Sequence, residues 1–238
     1  MKLHTDLACE SASIPAGKEV TRTIGGVSIT DIRITPEMRT QFLPGRYITL
    51  EGDPSRSELT ALLRRALLQL LPAEGTVLAA GLGNPDITRD SLGALTIRRL
   101  VPRKGTHYSL AAIETDVAAR TGIETVALVR AAAREIDACC VIAVDSLSCD
   151  FPGRLCRSVQ LSTAGIVPGS GSAAPRRELS RRSVGVPVIA VGVPTAVSVE
   201  ALTRNMSHRG LLAAPSDEDV QLRMWAYSIS DAVNSAVR

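Results

Sequence analysis

The sequence predicts an α/β protein: a mainly parallel sheet flanked by helices on both faces, with a β extension at the N-terminus. Three observations lead there. From residue 57 onward, segments with apolar residues at helical spacing alternate with short apolar runs of strand character, the pattern of successive βα units. One of these runs, Val77-Leu78-Ala79-Ala80, ends in the glycine turn Gly81-Leu82-Gly83, as strand-to-helix connections at the edge of such sheets do. And two strand-like segments stand before the first helix, where no helix separates them. No repeat or linker divides the chain, so residues 1–238 read as one domain, with 1–55 as the extension packed on its core.

Taken in order, the first twenty residues are polar and mixed, without a period. Val27, Ile29, Ile32 and Ile34 mark a strand over 25–35 with a bulge near 30–31, and 47–50 a second strand before the turn Gly52-Asp53-Pro54-Ser55. Ser57 caps a helix to about residue 71, carrying Leu59, Leu62, Leu63, Ala66, Leu67 and Leu70 at helical spacing. A strand over 76–80 leads through the glycine turn to a helix running from Asp90 to about Leu100. Residues 102–115 read as a loop. Residues 121–125 open a helix that turns Val126, Val129, Ala133 and Ile136 toward a strand over 139–144, which ends in Asp145. A short strand covers 158–161, and 163–175, rich in Gly, Ser and Pro, reads as a long surface loop. A helical turn over 177–183, a buried strand over 186–191 and an edge turn over 192–195 follow. An amphipathic helix over 217–236, with Val220, Met224, Ile229 and Val233 facing inward, closes the chain.

Composition narrows the function. With 238 residues the chain can bury a full core. A formal charge of +3 is too small to argue for nucleic acid, and 3% aromatics leave little for a base-stacking platform. Five cysteines, an odd number without C-x-x-C spacing, read as reduced thiols of a cytoplasmic protein. Leu7-Ala8-Cys9 lacks the apolar stretch that a lipoprotein signal needs. The uncharged stretch 184–199 is broken by Gly185, Pro187, Gly192 and Pro194 and is too short to span a membrane. Arg176, Arg177, Arg181 and Arg182 form either a solvated face or a site for an acidic partner.

The chemistry-bearing residues are carboxylates. Gly81-Leu82-Gly83 lacks the third glycine of a dinucleotide fingerprint, because Asp86 stands there and would repel a pyrophosphate. Gly169-Ser170-Gly171-Ser172 is followed by no Lys-Ser or Lys-Thr, so it is not a phosphate loop. Asp90, at a helix opening behind Thr88, suits either a first-turn helix stabiliser or a carboxylate held ionised by helix-terminal N–H groups. Asp145, directly after a buried strand, suits either an Asx turn or a carboxyl kept protonated by burial. Together they make an acid–base pair around a water, able to hydrolyse an amide without a metal or a covalent intermediate. Neither is followed by the Thr-Gly or Ser-Gly of pepsin-like enzymes. A metal site through His107 and the two carboxylates is the alternative. Ser146, Ser148 and Ser170 lack a G-x-S-x-G elbow, and no histidine is placed by sequence to activate Cys149.

Several stretches together resemble the germination protease family of spore-forming bacteria: Thr5-Asp6-Leu7-Ala8, Gly81-Leu82-Gly83-Asn84, Asp90-Ser91-Leu92-Gly93, Thr121-Gly122-Ile123-Glu124-Thr125, Val141 through Leu147, Thr163 through Gly171 and Gly185 through Thr195. The resemblance implies a fold like that of hydrogenase-maturation peptidases and an atypical aspartic endopeptidase made as a zymogen. It implies degradation of the small acid-soluble proteins that coat spore DNA, during germination, in the cytoplasm of the spore. It places the two catalytic aspartates on Asp90 and Asp145. Gly83, Asn84, Pro168, Gly169, Ser170 and Gly171 are expected to border the substrate cleft. A homotetramer is expected, with no cofactor, no metal, no direct nucleic-acid contact and no membrane. Three departures stand out: four residues precede Thr5, fewer than the family's pro-segment, Pro85 stands where an aromatic is usual, and the stretch after Pro194 is shortened.

Overall fold

The computed structural model describes residues 5–11, 13–15, 19–167, 177–203, 208 and 211–238. Among these, nine strands form one sheet: β1 Glu19–Ile24, β2 Val27–Ile34, β3 Gly45–Glu51, β4 Gly75–Gly81, β5 Tyr108–Glu114, β6 Ala138–Cys149, β7 Ser158–Ser162, β8 Val188–Ser198 and β9 Leu212–Ala213. Their order is β1-β2-β3-β7-β8-β6-β4-β5, with β9 also on β8. The pairs β5–β4, β4–β6 and β6–β8 are parallel, the rest antiparallel. The helices are α1 Ser57–Leu68, α2 Leu92–Ile97, α3 Ala118–Thr121, α4 Thr125–Glu135, α5 Arg181–Val184, α6 Val199–Thr203 and α7 Glu218–Ala236.

Alternation along the central strands divides the core into two layers. Val77, Ala79, Ile142, Val144, Ile189 and Val191 meet Leu59, Leu63 and Leu67 of α1, Leu92 of α2, and Trp225, Ile229 and Val233 of α7. On the other face Leu78, Ala80, Val141, Ala143 and Val188 meet Val126, Val129 and Ala133 of α4, with Leu179 and Val184 beside them. Each of the buried leucines contributes about 1.5–3 kcal/mol over an exposed one. Trp225 is fully buried and donates Nε1–H to the Cys156 carbonyl at 2.9 Å. No helix among the described residues is long and apolar enough to cross a membrane.

The structure departs from the sequence expectations at identifiable places. β1 was not expected: it is an edge strand exposed at all six positions, so no apolar alternation marks it. Residues 108–114, expected in a loop, form the opposite edge strand, with Leu110 alone fully buried. β6 runs on past Asp145 to Cys149, and residues 192–195, expected as a turn, lie inside β8. Pro194 is tolerated there because the β6–β8 register shifts beside it, between Leu147 and Ser148. The helix expected from Asp90 is a 3-10 turn, Thr88–Asp90, followed by the short α2. Ser57 does not cap α1: Arg56 precedes the helix, which ends at Leu68. In α7, Leu222, Trp225, Ile229 and Val233 face inward, while Val220 is 51% exposed and Met224 half-buried.

All five cysteines are free; Cys140, Cys149 and Cys156 are buried, Cys9 and Cys139 partly so. Burial pushes the Cys9 and Cys156 thiols from 9.0 up to about 11 and raises Cys140 and Cys149 as well. Burial likewise pushes the Tyr47 hydroxyl up to about 12. The unfolded chain therefore ionises these groups at a pH where the folded one still holds their protons. Their contribution to stability is complete below about pH 9 and is lost progressively as pH rises above it. Urea midpoints measured from about pH 8 to about pH 11 are expected to fall steadily. Midpoints that stay level would contradict the burial of these groups.

Candidate active site

β4 delivers the chain to a tight turn on its neighbour. Gly81 closes the strand opposite Val144 of β6, and its carbonyl accepts from both the Thr115 N–H and Oγ1 at 2.9 Å. Leu82 N–H donates to the Val144 carbonyl at 2.8 Å, holding the next residue against β6. Gly83 then adopts φ +96°, a conformation that side chains strain to reach. A Cβ on Gly83 would lie 2.2 Å from the Asp90 carbonyl oxygen and 2.8 Å from Asp90 Oδ1, so the turn is folded directly onto Asp90. Asn84 N–H donates to Asp90 Oδ2 at 2.7 Å.

Two further contacts set the Asp90 turn in place. Thr195 of β8 donates Oγ1–H to the Arg89 carbonyl at 2.7 Å. Gly93, in the first turn of α2, packs against the Leu82 main chain and the Val144 carbonyl. Asp145 is the next residue after Val144, 2% exposed, opposite Gly192 of β8, and its Oδ1 accepts from Ser146 N–H at 2.9 Å. The turn that carries Asp90 is thus pinned to β6 one residue before Asp145. The end of a parallel strand beside its neighbour is where α/β sheets gather ligands.

The other expected residues sort differently. Asp90 Oδ2 accepts from the Asn84 N–H of the glycine turn, and the residue that precedes α2 is Ser91 rather than Thr88, without a side-chain cap. Asn84 Oδ1 accepts from Asp86 N–H at 2.9 Å and from Arg120 at 3.0 Å. Its side chain therefore shapes the turn. Pro168, Gly169, Ser170 and Gly171 lie outside the described residues, as does Arg176. Ile166 and Leu179 are joined by reciprocal main-chain hydrogen bonds. Arg177, Arg181 and Arg182 are exposed. His107 does not join the aspartates: its carbonyl accepts from Gly75 N–H at the opposite end of β4, roughly 20 Å of strand away. Among the described residues no group of three or more His, Cys, Asp or Glu could hold a metal ion.

Three features near the site escaped sequence reasoning. Arg120 bridges Asn84, Asp86 and Asp116, tying α3 to the turn. Its signal was present but ambiguous, a lone arginine before Thr121-Gly122. The segment Thr5-Asp6-Leu7-Ala8, recognised only as a motif, is strapped across the sheet. Asp6 Oδ2 accepts from Ser148 N–H and Oγ, both at 2.8 Å, and Gln160 bonds Ala8 N–H and the Asp6 carbonyl. Gln160, Gly192 and Asp145 stand opposite one another on β7, β8 and β6, so this strap lies on the face that Asp145 occupies. Finally, Ser146 Oγ is buried with no hydrogen-bond partner among the described residues. Removing an unpaired hydroxyl relieves a desolvation penalty, so Ser146→Ala is expected to leave stability unchanged or raise it by up to about 1 kcal/mol. Urea unfolding checks this, and a clear loss would show the hydroxyl to be bonded in solution.

Residues 10–208, which include Gly83, Asp90, Asp145 and Thr195, match the family model for germination proteases. The chain belongs to the germination protease family. It is 32% identical over 207 residues to the germination protease of Geobacillus sp. (strain WCH70), covering 76% of this chain and 56% of that one. The Bacillus velezensis protein is 33% identical over 232 residues, covering 82% and 63%, and the Clostridium tetani protein 29% over 237 residues, covering 86% and 73%. The chain thus spans little more than half of some relatives' length and nearly three quarters of others'. Among solved structures, a [NiFe] hydrogenase maturation protease from Thermococcus kodakarensis superposes with a TM-score of 0.42 at 16% identity, covering 71% of this chain and 98% of that one. The match to the family model over residues 10–208 bears out the family resemblance seen in the sequence.

Proposed function

We propose that this germination protease family member is an endopeptidase that cuts small acid-soluble spore proteins, with Asp90 and Asp145 acting on one water. The observation that carries the reading is the pinning of the Asp90 turn onto β6 at Val144, the residue before Asp145. In the proposed step the water oxygen adds to the scissile carbonyl carbon while Asp90 takes the water proton. Asp145 supplies a proton to the departing amine nitrogen, and the C–N bond breaks. The half-buried Asp90, with an N–H donated to one oxygen, suits the ionised partner. The enclosed Asp145 suits the partner that begins protonated.

Incubating the pure protein with small acid-soluble spore proteins and mapping new termini by mass spectrometry tests this directly. Discrete internal cuts, unchanged by a chelator, are expected. Loss of cutting with chelator and recovery with nickel or zinc would replace the two-aspartate mechanism by a metal-assisted one. Capture of the spore proteins without any cut would make the chain a binding scaffold.

A further inference from the structure

We propose that the groove between α1 and α7 is a docking site for an acidic, partly apolar segment of a polypeptide, separate from the two aspartates. The groove encloses a cavity of about 730 Å³ with Ala61, Met224 and Ala232 among its apolar lining and Arg64, Arg99 and Arg223 at its rim. Asp231 is the one carboxylate in that lining, against three guanidinium groups. None of the three arginines makes an ion pair among the described residues. Two are nevertheless held in place: Arg64 Nε donates to the Ser235 carbonyl at 3.2 Å, and Arg99 lies 4.8 Å over the Tyr227 ring. Guanidinium groups oriented by their stems and left without carboxylates are prepared to accept carboxylates from elsewhere.

The apolar component indicates a chain segment rather than a compact anion. Val220, Met224 and Tyr227 follow one another at helical spacing along the outer face of α7, with Val220 51% and Tyr227 58% exposed. This stripe is about 10 Å long and reaches beyond the cavity, since Val220 is not part of its lining. A second, smaller cavity continues the groove past Arg99 and Tyr227 to Asn234. The arrangement suits an amphipathic segment whose carboxylates meet the arginines while its apolar side chains cover the stripe.

The occupant that fits best is part of the protein substrate, and this step rests on the endopeptidase reading. Arg99 follows Asp90 by nine residues, and the intervening chain is largely the short helix α2, so the rim lies within about 14 Å of the catalytic turn. Roughly four or five extended residues would connect a segment seated in the groove with a bond at the aspartates.

The test separates binding from cutting. A fluorescent amphipathic peptide of about 15 residues, with glutamates on one face and leucines on the other, is titrated with full-length Asp145→Asn protein and followed by anisotropy. Binding about tenfold tighter than that of the same peptide with glutamine in place of glutamate is expected, weakening as salt rises toward about 0.5 M. An Arg64→Glu, Arg223→Glu double variant with an unchanged melting temperature should lose this preference; Tyr227→Ala, which leaves the charges in place, should weaken both peptides. In the active protein the double variant should raise KM for an intact spore protein by about tenfold and leave cleavage of a short peptide unchanged. Equal binding of the two peptides, or binding indifferent to the charge reversal, overturns the proposal. So does self-association that the double variant abolishes, which would make a second copy the occupant. If the active protein cuts nothing while the glutamate peptide still binds, the endopeptidase reading fails and the groove stands.

Discussion

Asp145→Asn is expected to fold as the parent does and to lose cleavage of a small acid-soluble spore protein by about 10²–10⁴-fold. The substitution keeps shape and one oxygen. The hydrogen bond that Ser146 N–H donates to Oδ1 at 2.9 Å can therefore be retained by the amide oxygen. What disappears is the proton that the carboxyl exchanges, and with it the step that releases the amine. Asp90→Asn should fail for the complementary reason. Its amide can still accept from Asn84 N–H, but it no longer takes a proton from water. In the proposed mechanism the two side chains act on one reaction as a unit, so the double variant should be little worse than either single one. Initial rates on the spore protein, paired with thermal unfolding of each variant, measure both halves of the prediction. Full activity in Asp145→Asn would remove the two-aspartate mechanism.

The sequence carried the βα alternation and the turn at 81–93 because both depend on local signals: apolar runs, helical spacing and glycines at a strand end. It carried the neighbouring, parallel course of β4 and β6, the strands that lead to Asp90 and Asp145, but not the length of β6, which runs on past Asp145 to Cys149. It failed where the deciding contact is distant. That the Asn84 N–H bonds Asp90 depends on a 3-10 turn whose Arg89 carbonyl accepts from Thr195, 106 residues away. That His107 sits at the wrong end of β4 depends on residues 108–114 being a strand, and an edge strand with one fully buried residue leaves a weak trace. The inward face of α7 was misjudged because the helix has two apolar stripes. Leu222 and Trp225 fill the core, while Val220 and Met224 lie on the stripe along the groove. The strap from Thr5 to Ala8 is invisible in a linear reading, since Asp6 and Ser148 are 142 residues apart.

Gly93→Ala is expected to be a severely damaging small substitution, with a loss of more than about 4 kcal/mol or no soluble protein. The reason is space, not backbone conformation, since Gly93 is not among the positive-φ glycines. A Cβ there would lie 2.3 Å from the Leu82 carbonyl oxygen, 2.4 Å from the Leu82 nitrogen and 2.7 Å from the Val144 carbonyl oxygen. All three atoms are main chain and cannot rotate aside, so α2 must lift from the junction of β4 and β6. That lifting would break the Leu82 to Val144 hydrogen bond and carry the Asp90 turn away from Asp145. Gly122→Ala provides the contrast: φ is +70° but nothing lies within 4 Å of the added atom. Its left-handed conformation alone should cost about 1–2 kcal/mol, with cleavage unchanged. Urea unfolding and cleavage rates of the two variants decide the matter. If Gly93→Ala proves as mild as Gly122→Ala, the close approach of α2 to β6 is not what holds the Asp90 turn against Val144.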